Sequence, residues 1–168
     1  MNLGNQAKIL DIGCGTGINF GYLQRYGRVT GLDISQYAIN YCWKRGFTDV
    51  VQGSAEELDF ESGTFDLITA LDVLEHIDDN KALAQFHRVL KPNGYLLLNV
   101  PAFDFLWSKH DEAIGHKRRY TRNKLINALE SNGFVVERVS FWNFFLFPPV
   151  AVVRLVKKLL KKRRKSDI

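Results

Sequence analysis

Cysteine is nearly absent. Cys14 and Cys42 are two residues in 168, too few and too far apart for a disulfide framework or a cysteine-based zinc site. Their scarcity fits a reducing, cytoplasmic compartment. No leader-like apolar stretch opens the sequence, since the first strand candidate begins at residue 8. The most apolar run, residues 141–153, is interrupted by Pro148-Pro149 and is too short to span a bilayer. Internal repeats are missing too. The remaining composition, 46% apolar and 24% charged, is that of an ordinary soluble domain. A length of 168 residues suits one core, not two.

Basic charge is also scarce where a nucleic-acid surface would need it. The net charge of +5 resides in the tail: residues 154–168 hold eight Lys/Arg and one acid, whereas residues 1–153 hold fifteen Lys/Arg and seventeen acids. A mildly acidic body argues against nucleic acid as a partner.

What is present is concentrated in residues 9–17, Ile-Leu-Asp-Ile-Gly-Cys-Gly-Thr-Gly. An apolar run ends in a carboxylate, and glycines follow at 13, 15 and 17. A second apolar run closes on Asp33. This is the layout of a nucleoside-cofactor site at the carboxyl ends of two neighbouring parallel strands. Asp33 is placed to accept hydrogen bonds from ribose hydroxyls. A dinucleotide fingerprint has the spacing Gly-x-Gly-x-x-Gly and sets helix N–H groups against a pyrophosphate. Asp11, by contrast, would repel a pyrophosphate and pair with an ammonium group. The pattern therefore favours a ligand with an amino-acid end, as in S-adenosylmethionine. A dinucleotide site and a plain strand–turn–helix remain as alternatives at this point.

Apolar β-rich runs alternate with segments of helical period, which predicts an α/β fold with a mainly parallel sheet. The expected strands are residues 8–12, 28–33, 49–53, 65–71, 94–100 and 134–141. The expected helices are residues 17–26, 35–45, 80–90 and 121–131, with Ser35 and Thr121 as N-caps. Lys91-Pro92-Asn93-Gly94 is a turn signal. The segment 101–120 breaks the rhythm and is rich in His, Asp, Arg and aromatic residues. Its place after the fifth strand suits a substrate-binding loop.

With these motifs in view, residues 8–141 resemble the class I S-adenosylmethionine-dependent methyltransferases. The resemblance rests on the glycine loop, Asp33-Ile34-Ser35, Gly53-Ser54-Ala55-Glu56-Glu57-Leu58, Phe65-Asp66-Leu67-Ile68, Asp72-Val73-Leu74-Glu75-His76-Ile77 and Leu90-Lys91-Pro92-Asn93-Gly94. Residues 106–112 and 115–121 are similar to a small bacterial and archaeal branch related to the quinone-pathway O-methyltransferases. The resemblance implies a Rossmann-like, doubly wound sheet with helices on both faces, over residues 1–147. It implies that Asp11, Gly13, Cys14 and Gly15 face the methionine end, Cys14 as a small neutral spacer. Asp33 would hold the ribose, with Ile34, Ser54 and Ala55 around the adenine and Leu71 and Asp72 near the reacting end. Two departures from relatives stand out. Ser54 occupies a position that is commonly aspartate, and little precedes residue 8 where relatives carry covering helices.

Methyl transfer from a sulfonium needs alignment rather than a metal. A hydroxyl acceptor gains from a base, which makes His76, His110 and His116 the catalytic candidates. Grouping His110, Asp111, Glu112 and His116 as a zinc site lacks the usual ligand spacing, so no metal is expected. Trp107, Arg118, Arg119 and Tyr120 are candidates for the acceptor, or for anchoring the loop. In residues 148–168, Val152, Leu155, Val156, Leu159 and Leu160 share one helical face and basic residues the other. Such a helix suits contact with an anionic membrane surface through residues 150–165, or packing on the domain. The expected function is O-methylation of a small or lipid-linked acceptor. A catalytically weak cofactor-binding protein at the membrane surface is the alternative.

Overall fold

The computed structural model describes residues 6–141 together with Leu3, Pro148 and residues 152–154. Five strands form one wholly parallel sheet: β1 (Ala7–Ile12), β2 (Gly27–Asp33), β3 (Val50–Gln52), β4 (Phe65–Leu71) and β5 (Leu90–Asn99), in the order β3-β2-β1-β4-β5. The chain runs outward from β1 to one edge, then returns to β4 on the other side of β1. The crevice at the carboxyl ends of β1 and β4 is therefore the topological switch point, where ligands bind in open α/β sheets.

β1, β2 and β4 each feed two cores because successive side chains point to opposite faces. Ile9, Val29 and Leu67 pack with α1 (Phe20–Leu23) and α2 (Gln36–Lys44). Leu10, Ile12, Leu32, Ile68 and Ala70 pack with α3 (Asp79–Val89) and α5 (Arg122–Ser131). Ser35, Asp78 and Thr121 cap α2, α3 and α5 by accepting from the backbone N–H three residues on. A further short helix, α4 (Lys109–Ala113), lies in the loop after β5.

The structure departs from the sequence expectation at three places. The first helix is one turn long: Gly17 takes a φ of +72° at its expected start, and β2 already begins at Gly27. The turn at residues 91–94 is absorbed as an irregularity within β5, where Phe65 pairs with Leu90 and Leu67 with Tyr95, while Asn93 takes a φ of +64°. The expected strand at 134–141 has alternating burial, with Phe134 and Val136 on the core, but pairs with no strand among the described residues. It runs along an open cleft also lined by Tyr95 and Leu97 of β5, which is left as a sheet edge. The segment 148–168 lies outside the described residues except for Pro148 and residues 152–154. Among the described residues no helix is long and apolar enough to cross a membrane.

Gly31, in the middle of β2, sets how closely α1 approaches the sheet. A Cβ there would lie 2.4 Å from Phe20 Cζ and 2.9 Å from the Sγ of Cys14 in the glycine loop. Gly31→Ala is expected to destabilise the fold by about 1–3 kcal/mol through overpacking, despite the entropic gain that alanine usually brings. Urea unfolding of the variant measures it, and a stability equal to or above that of the parent would contradict this packing.

Candidate active site

The glycine loop begins where β1 ends. Gly13 and Gly15 have φ of +66° and +53°, a region that other residues rarely enter. A Cβ on Gly13 would strike Val73 Cγ2 at 2.4 Å, whereas one on Gly15 would meet nothing within 4 Å. The first glycine thus serves close packing, and the second borders open space. Cys14 is buried between them, and burial pushes its thiol well above the usual range. A raised thiol stays protonated and is a poor nucleophile, as the expected role of a small neutral spacer requires.

Asp11 is 1% exposed. Its Oδ1 accepts a hydrogen bond from the Thr69 hydroxyl at 2.6 Å, and its Oδ2 is buried with no partner. Register explains the pair, since Asp11 and Thr69 are neighbours across β1 and β4. Burial raises the carboxyl to about 6; the Thr69 bond opposes that shift and the charge of Asp33 adds to it. Sequence reading missed Thr69. A hydroxyl between the apolar Ile68 and Ala70, in the strand beside the carboxylate, was the available signal.

Asp33 closes β2. Its Oδ2 accepts from the Gly15 N–H and its Oδ1 from the Ser35 N–H, both at 2.8 Å. These bonds fix the carboxylate beside the loop, and each oxygen keeps a second lone pair. The neighbouring Ile34 is 75% exposed, an apolar side chain with nothing to cover it among the described residues. Gln52 donates to the Ile34 carbonyl, and the Gly53 N–H donates to the Asp33 carbonyl. Those contacts bring the buried Ala55 and the half-buried Ser54 up to the same rim, where Ser54 Oγ accepts from the Glu56 N–H. On the other flank, Leu71 ends β4 and Asp72 follows with a φ of +58°. Asn99 holds that strained turn, accepting the Asp72 N–H on its carbonyl and donating its amide to Asp72 Oδ1 at 2.7 Å.

The loop after β5 is closed at its base by Tyr120, whose N–H donates to the Pro101 carbonyl and whose carbonyl accepts from the Phe103 N–H. Its centre is Asp111, fully buried. Asp111 accepts from the Ser108 N–H and hydroxyl, from Arg119 Nε at 2.7 Å and from His116 Nδ1 at 3.2 Å. Burial alone would raise its carboxyl, but the bonds from Arg119 and Ser108 outweigh that and hold it at about 2. Arg119 also donates to the Ala102 carbonyl. Tyr120 donates its hydroxyl to Asp79 Oδ2, and Arg118 lies 2.9 Å from the other oxygen of Asp79. Trp107 Nε1 donates to Glu112 at 3.4 Å. Trp107, Arg118, Arg119 and Tyr120 therefore all have partners within the protein, which is the anchoring arrangement. Arg154, from the tail segment, reaches the Leu106 carbonyl and lies 3.6 Å from Asp111.

The three histidines separate. His76 and His116 meet edge to face with ring centroids 4.8 Å apart, whereas His110 is exposed on α4, outside that pair. Glu75 lies beside them, fully buried, in the 3-10 turn Leu74–His76 that follows Asp72. Neither of its carboxylate oxygens has a hydrogen-bond partner, and burial raises its carboxyl to about 7, the charge of Asp72 adding to the effect. Its backbone carbonyl accepts from the Lys117 N–H, which ties the loop to the end of β4. Sequence reading passed over Glu75. Its signal was a charged residue between Leu74 and Ile77 in a turn the core must cover.

Comparison with known proteins turns this geometry into a family. A model of the methyltransferase domain matches residues 10–98, more than half of the chain. This chain belongs to the methyltransferase-domain family. It is 36% identical over 101 residues to the ubiquinone biosynthesis O-methyltransferase of Pectobacterium atrosepticum, covering 55% of this chain and 42% of that one. The structure resembles the YcgJ protein of Bacillus subtilis, with a TM-score of 0.74 and 25% identity over 83% of this chain and 67% of that one. It also shares its fold with an S-adenosylmethionine-dependent methyltransferase of Mesorhizobium loti, at a TM-score of 0.71 and 22% identity, covering 83% of this chain and 79% of that one. The chain spans about half the length, or less, of the curated relatives it matches.

Family membership implies S-adenosylmethionine as the cofactor, and the residues present fit it. Asp11 offers a buried oxygen without a partner, suited to an ammonium group. Gly15 borders free space, Asp33 is fixed with lone pairs to spare, and Ile34 presents an uncovered apolar surface.

The loop's dependence on one buried carboxylate is testable. Asp111→Ala would strand Arg119 and is expected to cost about 3–5 kcal/mol, the usual result of removing one partner from a buried ion pair. Hydrogen exchange should show residues 102–120 losing protection while β1 and β2 keep theirs. Unchanged protection in the loop would contradict the arrangement.

Proposed function

We propose that this methyltransferase-family protein transfers the S-adenosylmethionine methyl group to a hydroxyl oxygen of a small or lipid-linked acceptor. The observation that carries the reading is Asp11 Oδ2, a buried carboxylate oxygen with no partner beside an open glycine loop. Asp11 would hold the cofactor's ammonium group, with Gly13, Cys14 and Gly15 forming the adjoining bend. Asp33 would hold the ribose. Ile34, Ser54 and Ala55 would flank the adenine, and Leu71 and Asp72 the methionine portion. When bound, the cofactor supplies a methyl group already attached to a good leaving group, so the protein's work is alignment.

On the acceptor side, residues 101–120, which follow the carboxyl end of β5, would form the substrate-binding loop. His76 and His116, with Glu75, would manage the proton of an acceptor hydroxyl, a reading supported by their clustering after β4. His110 is free to meet an acceptor from solvent. Trp107, Arg118, Arg119 and Tyr120 shape the loop, and Arg118 retains some exposure toward an acceptor. Oxygen as the methylated atom is supported by the O-methyltransferase likeness. The basic, amphipathic pattern of residues 150–165 supports contact with the cytoplasmic face of a membrane, which would suit a lipid-linked acceptor.

Calorimetry with S-adenosylmethionine tests the cofactor half. Removing the Asp33 carboxylate with Asp33→Ala is expected to weaken binding about 10- to 100-fold, the value of a charged hydrogen bond. His116→Ala is expected to leave that affinity intact and to reduce turnover of a hydroxyl acceptor. Equal loss of cofactor affinity in both variants would contradict the division of the site.

Affinity should also follow the ionisation of Asp11. An ammonium group selects the ionised carboxylate, whereas the free protein holds its proton up to about pH 6. Affinity is therefore expected to rise about tenfold per pH unit below 6 and to level off above it. Cofactor binding at pH 6 should release a proportion of a proton, read by calorimetry in buffers of different ionisation enthalpy. Asp11→Asn should abolish both effects, and a flat profile in the parent protein would overturn the ammonium assignment.

A further inference from the structure

We propose that Cys14 and Cys42 are a site of oxidative modification, a thiol pair whose intramolecular disulfide reshapes the glycine loop. Both cysteines are free and buried, and sequence alone gave no reason to pair them. Three observations carry the inference.

The first is convergence. Cys14 belongs to the glycine loop and Cys42 to α2, yet both sulfurs reach the same atom. The Gly15 carbonyl accepts from the Cys42 thiol at 3.3 Å and from the Cys14 thiol at 3.8 Å. Each sulfur also lies against a glycine. A Cβ on Gly31 would come within 2.9 Å of Cys14 Sγ, and one on Gly17 within 3.2 Å of Cys42 Sγ. The fold thus keeps room for two sulfurs in one place.

The second is what the thiols do while reduced. Among the described residues no backbone N–H bonds the Gly15 carbonyl, so the two S–H groups are its donors. The Gly15 N–H in turn donates to Asp33 Oδ2 at 2.8 Å. The thiols and Asp33 therefore hold Gly15 from its two ends. A disulfide carries no S–H, so oxidation removes both donors from that carbonyl at once. It also draws the sulfurs to about 2.05 Å from each other. Gly13 and Gly15 flank Cys14 with positive φ and give the loop the freedom to follow.

The third is protection. Burial raises both thiols, and a protonated thiol reacts slowly. Oxidation therefore proceeds when the loop opens away from α2, and a ligand seated on the loop slows it.

The oxidant is hydrogen peroxide. One thiol sulfur takes a peroxide oxygen, the O–O bond breaks, and a sulfenic acid forms as water leaves. The second thiol sulfur attacks the sulfenic sulfur; the S–S bond forms, the S–O bond breaks, and a second water carries off the remaining proton. Two electrons pass from the sulfurs to the peroxide. Under the proposed function Gly15 adjoins the cofactor, so oxidation would also weaken S-adenosylmethionine binding. That clause rests on the methyl-transfer reading, whereas the disulfide does not.

The test uses the full chain, reduced with dithiothreitol, desalted and exposed to hydrogen peroxide. Intact mass is expected to fall by two hydrogens, and non-reducing proteolysis to yield a peptide linking Cys14 to Cys42. Hydrogen exchange should change in residues 13–17, and dithiothreitol should reverse both effects. Cys42→Ala should abolish the link and the change in exchange. Should that variant fail to fold, reversal by dithiothreitol in the parent protein carries the same prediction. Oxygen added to the two thiols separately, or a link between two chains, overturns the pair; a link that leaves exchange in the loop unchanged overturns the reshaping. S-adenosylmethionine affinity is expected to fall at least about tenfold on oxidation and to return on reduction. Equal affinity in the two forms would refute the reach of the disulfide to the cofactor. A reduced protein that takes up no cofactor would sink the methyl-transfer reading and leave the mass and exchange measurements to decide the disulfide.

Discussion

β1 is hydrogen-bonded in parallel to both β2 and β4, and almost everything of functional interest depends on that double pairing. Leu32 lies opposite Ile12 on one side and Ala70 opposite it on the other, so the three strands end level with one another. The glycine loop, Asp33 and Asp72 therefore emerge around one crevice although 61 residues separate Asp11 from Asp72. A one-residue slip between β1 and β4 would turn Thr69 to the opposite face and leave Asp11 with no partner at all. The same double pairing buries Asp11, and burial keeps its proton on until about pH 6. Sheet register and carboxylate chemistry are here a single constraint.

A second dependence runs through the loop after β5. Residues 101–120 bury Leu106 and Tyr120, and buried or half-buried charges fix the rest of the segment. Asp111 gathers Ser108, Arg119 and His116, and Asp79 on α3 receives Tyr120 and Arg118. Buried ion pairs contribute little net stability compared with apolar packing, but they specify one geometry, since any other leaves a charge unpaired. That specificity reaches the end of β4, because the aligned His116 stands against His76 and Glu75, and Lys117 bonds the Glu75 carbonyl.

The sheet and its cofactor rim were legible in the sequence because short-range rules govern them. Continuous apolar, β-rich runs located β1, β2 and β4, Ser35 and Thr121 announced their helices, and Gly13, Gly15 and Asp33 stood at the spacing a nucleoside site needs. The strand expected at 134–141 shows the limit of that reasoning. Its period of two is real, with Phe134 and Val136 facing the core, but periodicity reports which side chains are buried and says nothing of a hydrogen-bonded neighbour. On the acceptor side, Arg119 and Tyr120 attract attention as exposed loop residues would. Their partners, Asp111 and Asp79, lie eight and 41 positions away, and no local pattern reveals such a pairing. Glu75 escaped notice for the same reason: its neighbours in space come from a loop some 40 residues later.

Asp11 and Glu75 are alike in an informative way. Each follows an apolar run near the carboxyl edge of the sheet, each is buried, and each leaves carboxylate oxygen without a partner. Neither arrangement favours folding. Apolar residues of similar size at these two positions would remove a desolvation cost of about 1–3 kcal/mol apiece, a large share of the 5–15 kcal/mol by which domains are stable. The surrounding structure does not relieve the cost either: Thr69 satisfies one oxygen of Asp11 and goes no further, and His116 stops 3.6 Å short of Glu75. Two such groups flank the switch-point crevice, one at the end of β1 and one just beyond β4. Carboxyl groups left partly unsatisfied at an opening are costly for the empty protein, and under the proposed reading the one at Asp11 is useful because it takes up an ammonium group. The two groups differ in their neighbours. Asp11 has one free oxygen and a hydroxyl neighbour, which suits a hydrogen-bond donor, whereas Glu75 faces the imidazole of His116, with which it can share a proton.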